Sequence, residues 1–315
     1  MTLPKRSCKR FLARGTNWFL AALLSMALVL TACSPGEQTP VNYVFDDLGR
    51  LVAINGTPQR IISLAPSNTE ILFALGLGDK VVGVTDWCNY PPEALNKTKV
   101  GEYATPNIEK IVALNPDLIL AGYGNPIEVV YSLAGLGLTV FGIKTTDLDD
   151  LLNDIRRVGE ITDKEVEAQA LTSAMESRIQ AVTNQTAELE QRPRVFYIVW
   201  GGEGSALWTA GSGTFIHELI EKAGGVNICQ NITGYTTISI EDVLARDPEI
   251  IITSEWSYEW AINASELAST NASQTGRIYT LDDDLVQRPG PRLVEGLEWF
   301  AYFIHPEIFE EPEGG

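Results

Sequence analysis

One thirteen-residue unit occurs twice at a fixed separation, and this duplication constrains the fold more than any other feature. Ile108-Glu109-Lys110-Ile111-Val112-Ala113-Leu114-Asn115-Pro116-Asp117-Leu118-Ile119-Leu120 aligns with Ile240-Glu241-Asp242-Val243-Leu244-Ala245-Arg246-Asp247-Pro248-Glu249-Ile250-Ile251-Ile252 at a constant offset of 132 residues. Each copy reads as a short helix, an Asn/Asp-Pro turn and a buried strand. Asn107 and Ser239 stand at the matching N-cap positions, which places Glu109 and Glu241 in first helical turns. Carboxylates there suit the helix dipole; one on each of two lobes also suits a two-fold partner with basic sockets. The sequence leaves both readings open.

The surrounding pattern predicts α/β lobes. Short apolar strands are expected at residues 60–64, 81–85, 117–121 and 139–143, and again at 194–199 and 249–253, with helical stretches between them. A helix over 68–75 is closed by Gly76. Such alternation argues for mainly parallel sheets flanked by helices. Between the halves, residues 147–191 contain no proline and one glycine, Gly159. The stretch 163–190 lacks both and predicts one helix of about 28 residues, or about 42 Å, stopped by Pro193. The alternative is two helices broken near Gly159. The expected architecture is two lobes joined by one long α-helix: leader 1–32, tether 33–42, first lobe 43–146, connecting segment 147–192, second lobe 193–308 and tail 309–315.

Charge divides the chain sharply. Of 23 basic residues, five (Lys5, Arg6, Lys9, Arg10, Arg14) lie in residues 1–32, which hold no acid. The remainder keeps 18 basic against 41 acidic residues, a net of −23, and this argues against nucleic acid as a partner. The apolar run 18–30 is too short to span a bilayer comfortably and reads as the core of a secretory signal. It ends in Leu30-Thr31-Ala32-Cys33, which resembles the bacterial lipobox. That resemblance implies diacylation of Cys33 and a chain exported and held at the cell envelope by a lipid anchor. Cys88 and Cys229 then remain; export permits a disulfide between them without requiring one.

Catalytic and metal signatures are absent from the sequence. There is no GxSxG, no Walker loop and no HExxH, and His217 and His305 are the only histidines. The chain therefore reads as no enzyme, with no catalytic residue, no metal site and no resident cofactor; the alternative from a different class is a secreted enzyme on an α/β scaffold. Gly211-Ser212-Gly213-Thr214 reads better as a turn and N-cap than as an anion site. Aromatic residues carry the signal instead. Trp87, Trp200 and Trp256 each follow a predicted strand closely, where ligands bind in parallel α/β sheets. Tyr90, Tyr103, Tyr123, Trp208, Tyr235, Tyr258 and Trp260 occupy similar loop contexts. So many rings in loops suit a large apolar or flat ligand. Arg288 and Arg292 precede the last helix and suit either a polar ligand group or a cap on the fold.

Together these residues resemble the helical-backbone substrate-binding proteins of bacterial ABC importers, which serve cobalamin, haem and ferric siderophores. The resemblance covers nearly all of residues 43–306. It is strongest in Arg60-Ile61-Ile62-Ser63-Leu64-Ala65-Pro66-Ser67-Asn68-Thr69-Glu70-Ile71, Val81-Val82-Gly83-Val84-Thr85, Tyr90-Pro91-Pro92 and the two repeat units. Within that family the chain is most similar to the cobalamin-binding branch. The resemblance implies capture of a corrinoid, or another large metal chelate, between the lobes by Trp87, Tyr90, Tyr103, Trp208, Tyr235 and Arg288. It also implies that Glu109 and Glu241 dock on arginines of a permease dimer served by its own ATPase. The chain departs from the branch at Gly122, where a tryptophan can stand, and at Ala223, the usual place of a second-lobe cysteine.

Overall fold

A computed structural model describes Thr2 and residues 41–312, Tyr123 excepted. The leader, Cys33 with most of its tether, Tyr123 and residues 313–315 lie outside the described residues. Among those described, no helix is long and apolar enough to cross a membrane.

The predicted apolar runs fold as strands within a residue or two of their expected ends. An antiparallel hairpin, β1 (Val41–Phe45) and β2 (Leu51–Asn55), leads into the first lobe. There β3 (Ile61–Ser63), α1 (Pro66–Ala74), β4 (Val81–Val84), β5 (Thr98–Lys99), α2 (Ile108–Ala113), β6 (Leu118–Ala121), α3 (Ile127–Gly135) and β7 (Val140–Gly142) follow in turn. Their five strands form a parallel sheet in the order β5-β4-β3-β6-β7. Strands β3, β6 and β7 are buried at every position, as a sheet covered on both faces demands. Gly76, at φ +73°, follows α1 and lets the chain reverse into β4, as the sequence predicts.

Two helices, α4 (Leu148–Thr162) and α5 (Glu165–Thr186), connect the lobes. The helix expected over 163–190 forms as α5 within those bounds, and the connection follows the alternative of two helices with a break near Gly159. The break falls at Asp163, which adopts the left-handed conformation at φ 55°, and α5 ends at Thr186, well before Pro193. Asp tolerates that conformation better than most residues, so a stretch without Gly or Pro still turns. Gly159 does not break the helix. A Cβ there would lie 2.5 Å from the Ala168 Cβ, so its role is to let α4 and α5 pack closely as an αα-hairpin. The longer arm, α5, spans about 33 Å at 1.5 Å per residue. Helix α4 packs on α1 of the first lobe.

The second lobe runs β8 (Arg194–Ile198), β9 (Leu207–Ala210), α6 (Phe215–Lys222), β10 (Val226–Asn227), β11 (Tyr235–Ile238), α7 (Ile240–Arg246), β12 (Ile250–Ser254), α8 (Glu255–Asn263), α9 (Asn271–Thr275), β13 (Ile278–Leu281), α10 (Asp283–Val286) and α11 (Leu293–Ile304). Its parallel sheet has the order β10-β8-β12-β13, and β9 pairs separately with β11. Helix α5 packs on α6 and α11, and its Arg178 makes two hydrogen bonds of 2.8 and 2.6 Å to Glu298. One buried cluster runs from Ile61 and Leu118 through Val158 and Met175 to Phe300, so the lobes share a core through the helical hairpin.

The sequence repeat is also a repeat of tertiary contacts. Arg60 Nε donates to the carbonyls of Leu114 and Asn115 at 3.1 Å each. Arg194 Nε donates to those of Arg246 and Asp247 at 3.2 and 2.8 Å. Each arginine thus satisfies the orphan carbonyls at the C-terminal end of a repeat helix. Asn115 and Asp247 turn the chain at φ 45° and 43°. The acids after the prolines, Asp117 and Glu249, accept backbone N–H groups at Arg60 and Arg194.

Candidate functional site

Ligands in open α/β sheets bind beyond the carboxyl ends of strands, where the strand order reverses direction. In the first lobe that point lies between β3 and β6, and in the second between β8 and β12. The chain leaves β3 into Ala65-Pro66-Ser67, and β8 into Val199 and Trp200. These segments line two cavities of about 340 and 400 Å³ that meet at Gln287 and together form the inter-lobe cleft. Trp87, Tyr103, Gly124, Asp283, Asp284, Arg288 and Pro289 also line the smaller one; Trp208, Phe215 and Tyr235 line the larger.

Four rings project into this cleft half-exposed: Trp87 at 57%, Tyr103 at 41%, Trp200 at 53% and Trp208 at 42%. Trp87 Nε1 donates to Glu102 at 2.6 Å, which fixes the indole on its loop. Trp200 and Trp208 sit on facing backbone segments, with the Trp208 N–H donating to the Trp200 carbonyl at 2.7 Å. Tyr235 packs edge-on against Phe215 at 6.2 Å between centroids. So much ring surface left open to water is the expected lining of a pocket for a large, flat ligand.

The cleft's charge is as informative. Among the described residues Arg288 is the one cation lining either cavity, and its side chain is only 12% exposed. It pairs with Asp284 at 2.7 Å and donates to Asn89 Oδ1 at 2.5 Å and to the Trp87 carbonyl at 3.3 Å. Predicted as a ligand contact, Arg288 lies at the cleft, where its Nη1 and Nη2 tie second lobe to first. Asp283 adds a carboxylate whose Oδ1 is buried and accepts no hydrogen bond among the described residues. Burial pushes that carboxyl up to about 7, against the opposing effect of a hydrogen bond from Gln287.

Tyr90 is not brought to this cleft. It lines a separate groove of about 860 Å³ with Glu70, Phe73, Met175 and Arg292. The Arg292 guanidinium stacks 3.9 Å from the Tyr90 centroid and grips Glu70 through two hydrogen bonds of 2.7 and 3.1 Å. The Glu70 side chain is 2% exposed, and burial raises its carboxyl above the ordinary value. Arg292 is thus a second strut between lobes.

Glu109 and Glu241 sit exposed in the first turns of α2 and α7. Asn107 and Ser239 cap those helices by accepting from the N–H groups of Lys110 and Asp242 at 2.9 and 3.1 Å. Neither glutamate makes an ion pair among the described residues. Cys88 and Cys229 are free and fully buried, so they form no bridge. The Cys88 thiol lies 3.1 Å from Thr69 Oγ1 and Thr85 Oγ1, away from any cleft surface. Thr214 caps α6 by accepting from the His217 N–H at 3.2 Å, the turn-and-cap reading of the Gly-Ser-Gly-Thr run. Among the described residues, no cluster of His, Cys, Asp or Glu could hold a metal ion.

Sequence reasoning did not single out Phe215, Asp283 or Gln287 for the cleft. Trp200 carries the same signal as Trp87, a ring just past a strand. Trp256 carries it too, yet is 82% exposed and lines neither cavity.

The described residues form two parallel-sheet lobes around an aromatic cleft. Residues 61–285 match the family model described as "Periplasmic binding protein", and the chain belongs to this family of binding proteins for transport, not enzymes. It is 32% identical over 308 residues to an uncharacterized ABC transporter substrate-binding lipoprotein of Bacillus subtilis, YvrC, covering 92% of this chain and 98% of that one. The crystal structure of the periplasmic vitamin B12-binding protein BtuF of Vibrio cholerae superposes with a TM-score of 0.70 at 34% identity, covering 79% of this chain and 97% of the other. The periplasmic haem-binding protein RhuT of Roseiflexus sp. RS-1, in its apo form, gives 0.71 at 27% identity, covering 80% and 99%.

Proposed function

We propose that this chain is the corrinoid receptor of an ABC importer, held by a lipid on Cys33 at the outer side of a membrane, and that it delivers its ligand to the permease dimer. The observation that carries the corrinoid reading is the cleft: four half-exposed rings and no unpaired cation among its lining residues. A corrinoid offers a broad ring system with a rim of neutral amides, and each buried ring adds apolar area at about 25 cal/mol per Å². Propionates of haem and the carboxylates or catecholates of siderophores would meet Asp283 and Asp284 with no free arginine to receive them. Similarity to the vitamin B12-binding protein of Vibrio cholerae supports the same reading.

Capture needs little closure, because Arg288 and Arg292 already tie the lobes behind the rings. Glu109 and Glu241, one per lobe and free of ion pairs among the described residues, then seat on basic sockets of the permease, whose ATPase supplies the work. A haem reading has one observation in its favour: the Tyr103 phenol, 41% exposed in the cleft, is a ligand type that ferric haem accepts. Tryptophan fluorescence separates the two. Cyanocobalamin and cobinamide should quench the cleft indoles saturably, and haemin should do so only weakly. Saturable quenching by haemin alone, lost in Tyr103→Phe, would replace the corrinoid with haem.

A further inference from the structure

The β1–β2 hairpin shows a face that neither the cleft nor the docking carboxylates use. Along β2 the pattern alternates: Val52 and Ile54 are 8% and 3% exposed and enter the core, whereas Leu51 is 56% exposed. On β1, Tyr43 and Phe45 are 63% and 64% exposed and Val41 is 43% exposed. Phe45 pairs directly with Leu51, and Tyr43 with Ala53, so these side chains share one outward face. Elsewhere in this lobe Tyr131 on α3 is 57% exposed, with the Arg50 guanidinium 5.9 Å from its centroid. Contiguous exposed rings on a soluble domain mark an interaction surface.

Two observations say what covers it. First, residues 34–40 are all that separates Cys33 from Val41, so even a fully extended tether reaches only about 28 Å. The hairpin therefore starts within about 28 Å of the anchor. Second, the nearby charges are paired: Arg50 with Asp46, and Arg157 with Asp47. On a chain that is otherwise strongly acidic, the exposed apolar face is thus flanked by charges that compensate one another. Tyrosine and phenylalanine on such a face suit the headgroup layer, where rings with a polar edge or a shallow apolar body are favoured.

We propose that the exposed hairpin face is a membrane-apposition surface, seated in the headgroup layer of the bilayer that carries the anchor. It orients the receptor there; the lipid does the anchoring. The inference rests on the anchored reading above, and its test separates the two. The lipidated full chain is reconstituted in phosphatidylethanolamine–phosphatidylglycerol vesicles, with Phe45→Cys, Leu51→Cys or Trp256→Cys carrying a nitroxide. Cys88 and Cys229 are fully buried and stay unlabelled.

Labels at 45 and 51 should be several-fold less accessible to an aqueous nickel chelate than the label at 256, independent of salt. Adding Tyr43→Ser and Leu51→Ser to the Phe45→Cys chain should return its label toward aqueous accessibility. Equal accessibility at all three sites, with the diacylglyceryl group on Cys33 found by mass spectrometry, overturns the surface and leaves the anchor standing. Absence of that group overturns the anchor reading and the inference with it. Spin–spin broadening at 45 that grows with protein density would show two hairpins paired edge to edge, and would overturn the lipid assignment.

Discussion

Replacing Arg292 by leucine should destabilise the protein by an amount that depends strongly on pH. In the native chain this guanidinium holds the 2% exposed Glu70 side chain through two hydrogen bonds and stacks on Tyr90. Removing one partner of a buried pair costs about 3–5 kcal/mol, because a buried charge is left uncompensated. Glu70 escapes that penalty by taking up a proton. From its ordinary value of 4.5, protonation costs about 3 kcal/mol at pH 7 and about 1 kcal/mol at pH 5. The lost stacking on Tyr90 adds about 1 kcal/mol at either pH. Arg292→Leu should therefore cost at most about 4 kcal/mol at pH 7 and less at pH 5, because the native carboxyl, itself raised by burial, bears part of the protonation cost already. The double variant Glu70→Leu with Arg292→Leu should recover most of the loss at pH 7. Urea unfolding at both pH values measures this. An equal loss at pH 5 and 7, or a double variant less stable than the single one, would refute the reasoning.

Trp200→Ala and Trp208→Ala should each weaken ligand binding about 10- to 100-fold in calorimetry, as losses of about 1.5–3 kcal/mol per ring imply, with unfolding midpoints unchanged. Glu109→Ala with Glu241→Ala should abolish uptake in whole cells while leaving calorimetric affinity intact; persisting uptake would reduce both to helix-start acids. Asp283, raised by burial from 3.8 to about 7, contributes stability that is complete below its unfolded value and lost as pH rises through 7. Asp283→Asn should therefore gain thermal stability relative to the native chain between pH 5 and 8, and a constant difference would contradict the assignment. Gly159→Val should cost about 1–3 kcal/mol in urea unfolding, since its Cβ would press on Ala168 at 2.5 Å.

Much of the fold was legible because apolar strands and a duplicated unit are local signals. The repeat announced two lobes, and its caps at Asn107 and Ser239 formed as read. A break near Gly159 was legible as an alternative, but its place at Asp163 was not, because packing of α4 on α5 decides the turn. Arg60 and Arg194 gave no signal either. Their partners are carbonyls more than fifty residues away, which only the tertiary fold supplies. In the cleft, rings just past strands could be found because strand ends are local; Trp87 and Trp200 are of this kind. Tyr90 carried the same local context, yet its ring faces Arg292 in the neighbouring groove. Arg288 was legible as a cleft residue but not as a strut, since Asn89 and the Trp87 carbonyl lie about two hundred positions away. Asp283 stayed hidden because an acid at a helix start is commonplace, and only burial makes it unusual.

The central claim is that the cleft selects a neutral, amide-rimmed macrocycle over an anionic one. Native mass spectrometry of the purified chain, mixed with equal amounts of cyanocobalamin, haemin and a ferric siderophore, tests it most directly. A single dominant complex is expected, its added mass that of one corrinoid, diminished in Trp200→Ala. A dominant haemin or siderophore complex, with no corrinoid adduct, would contradict it.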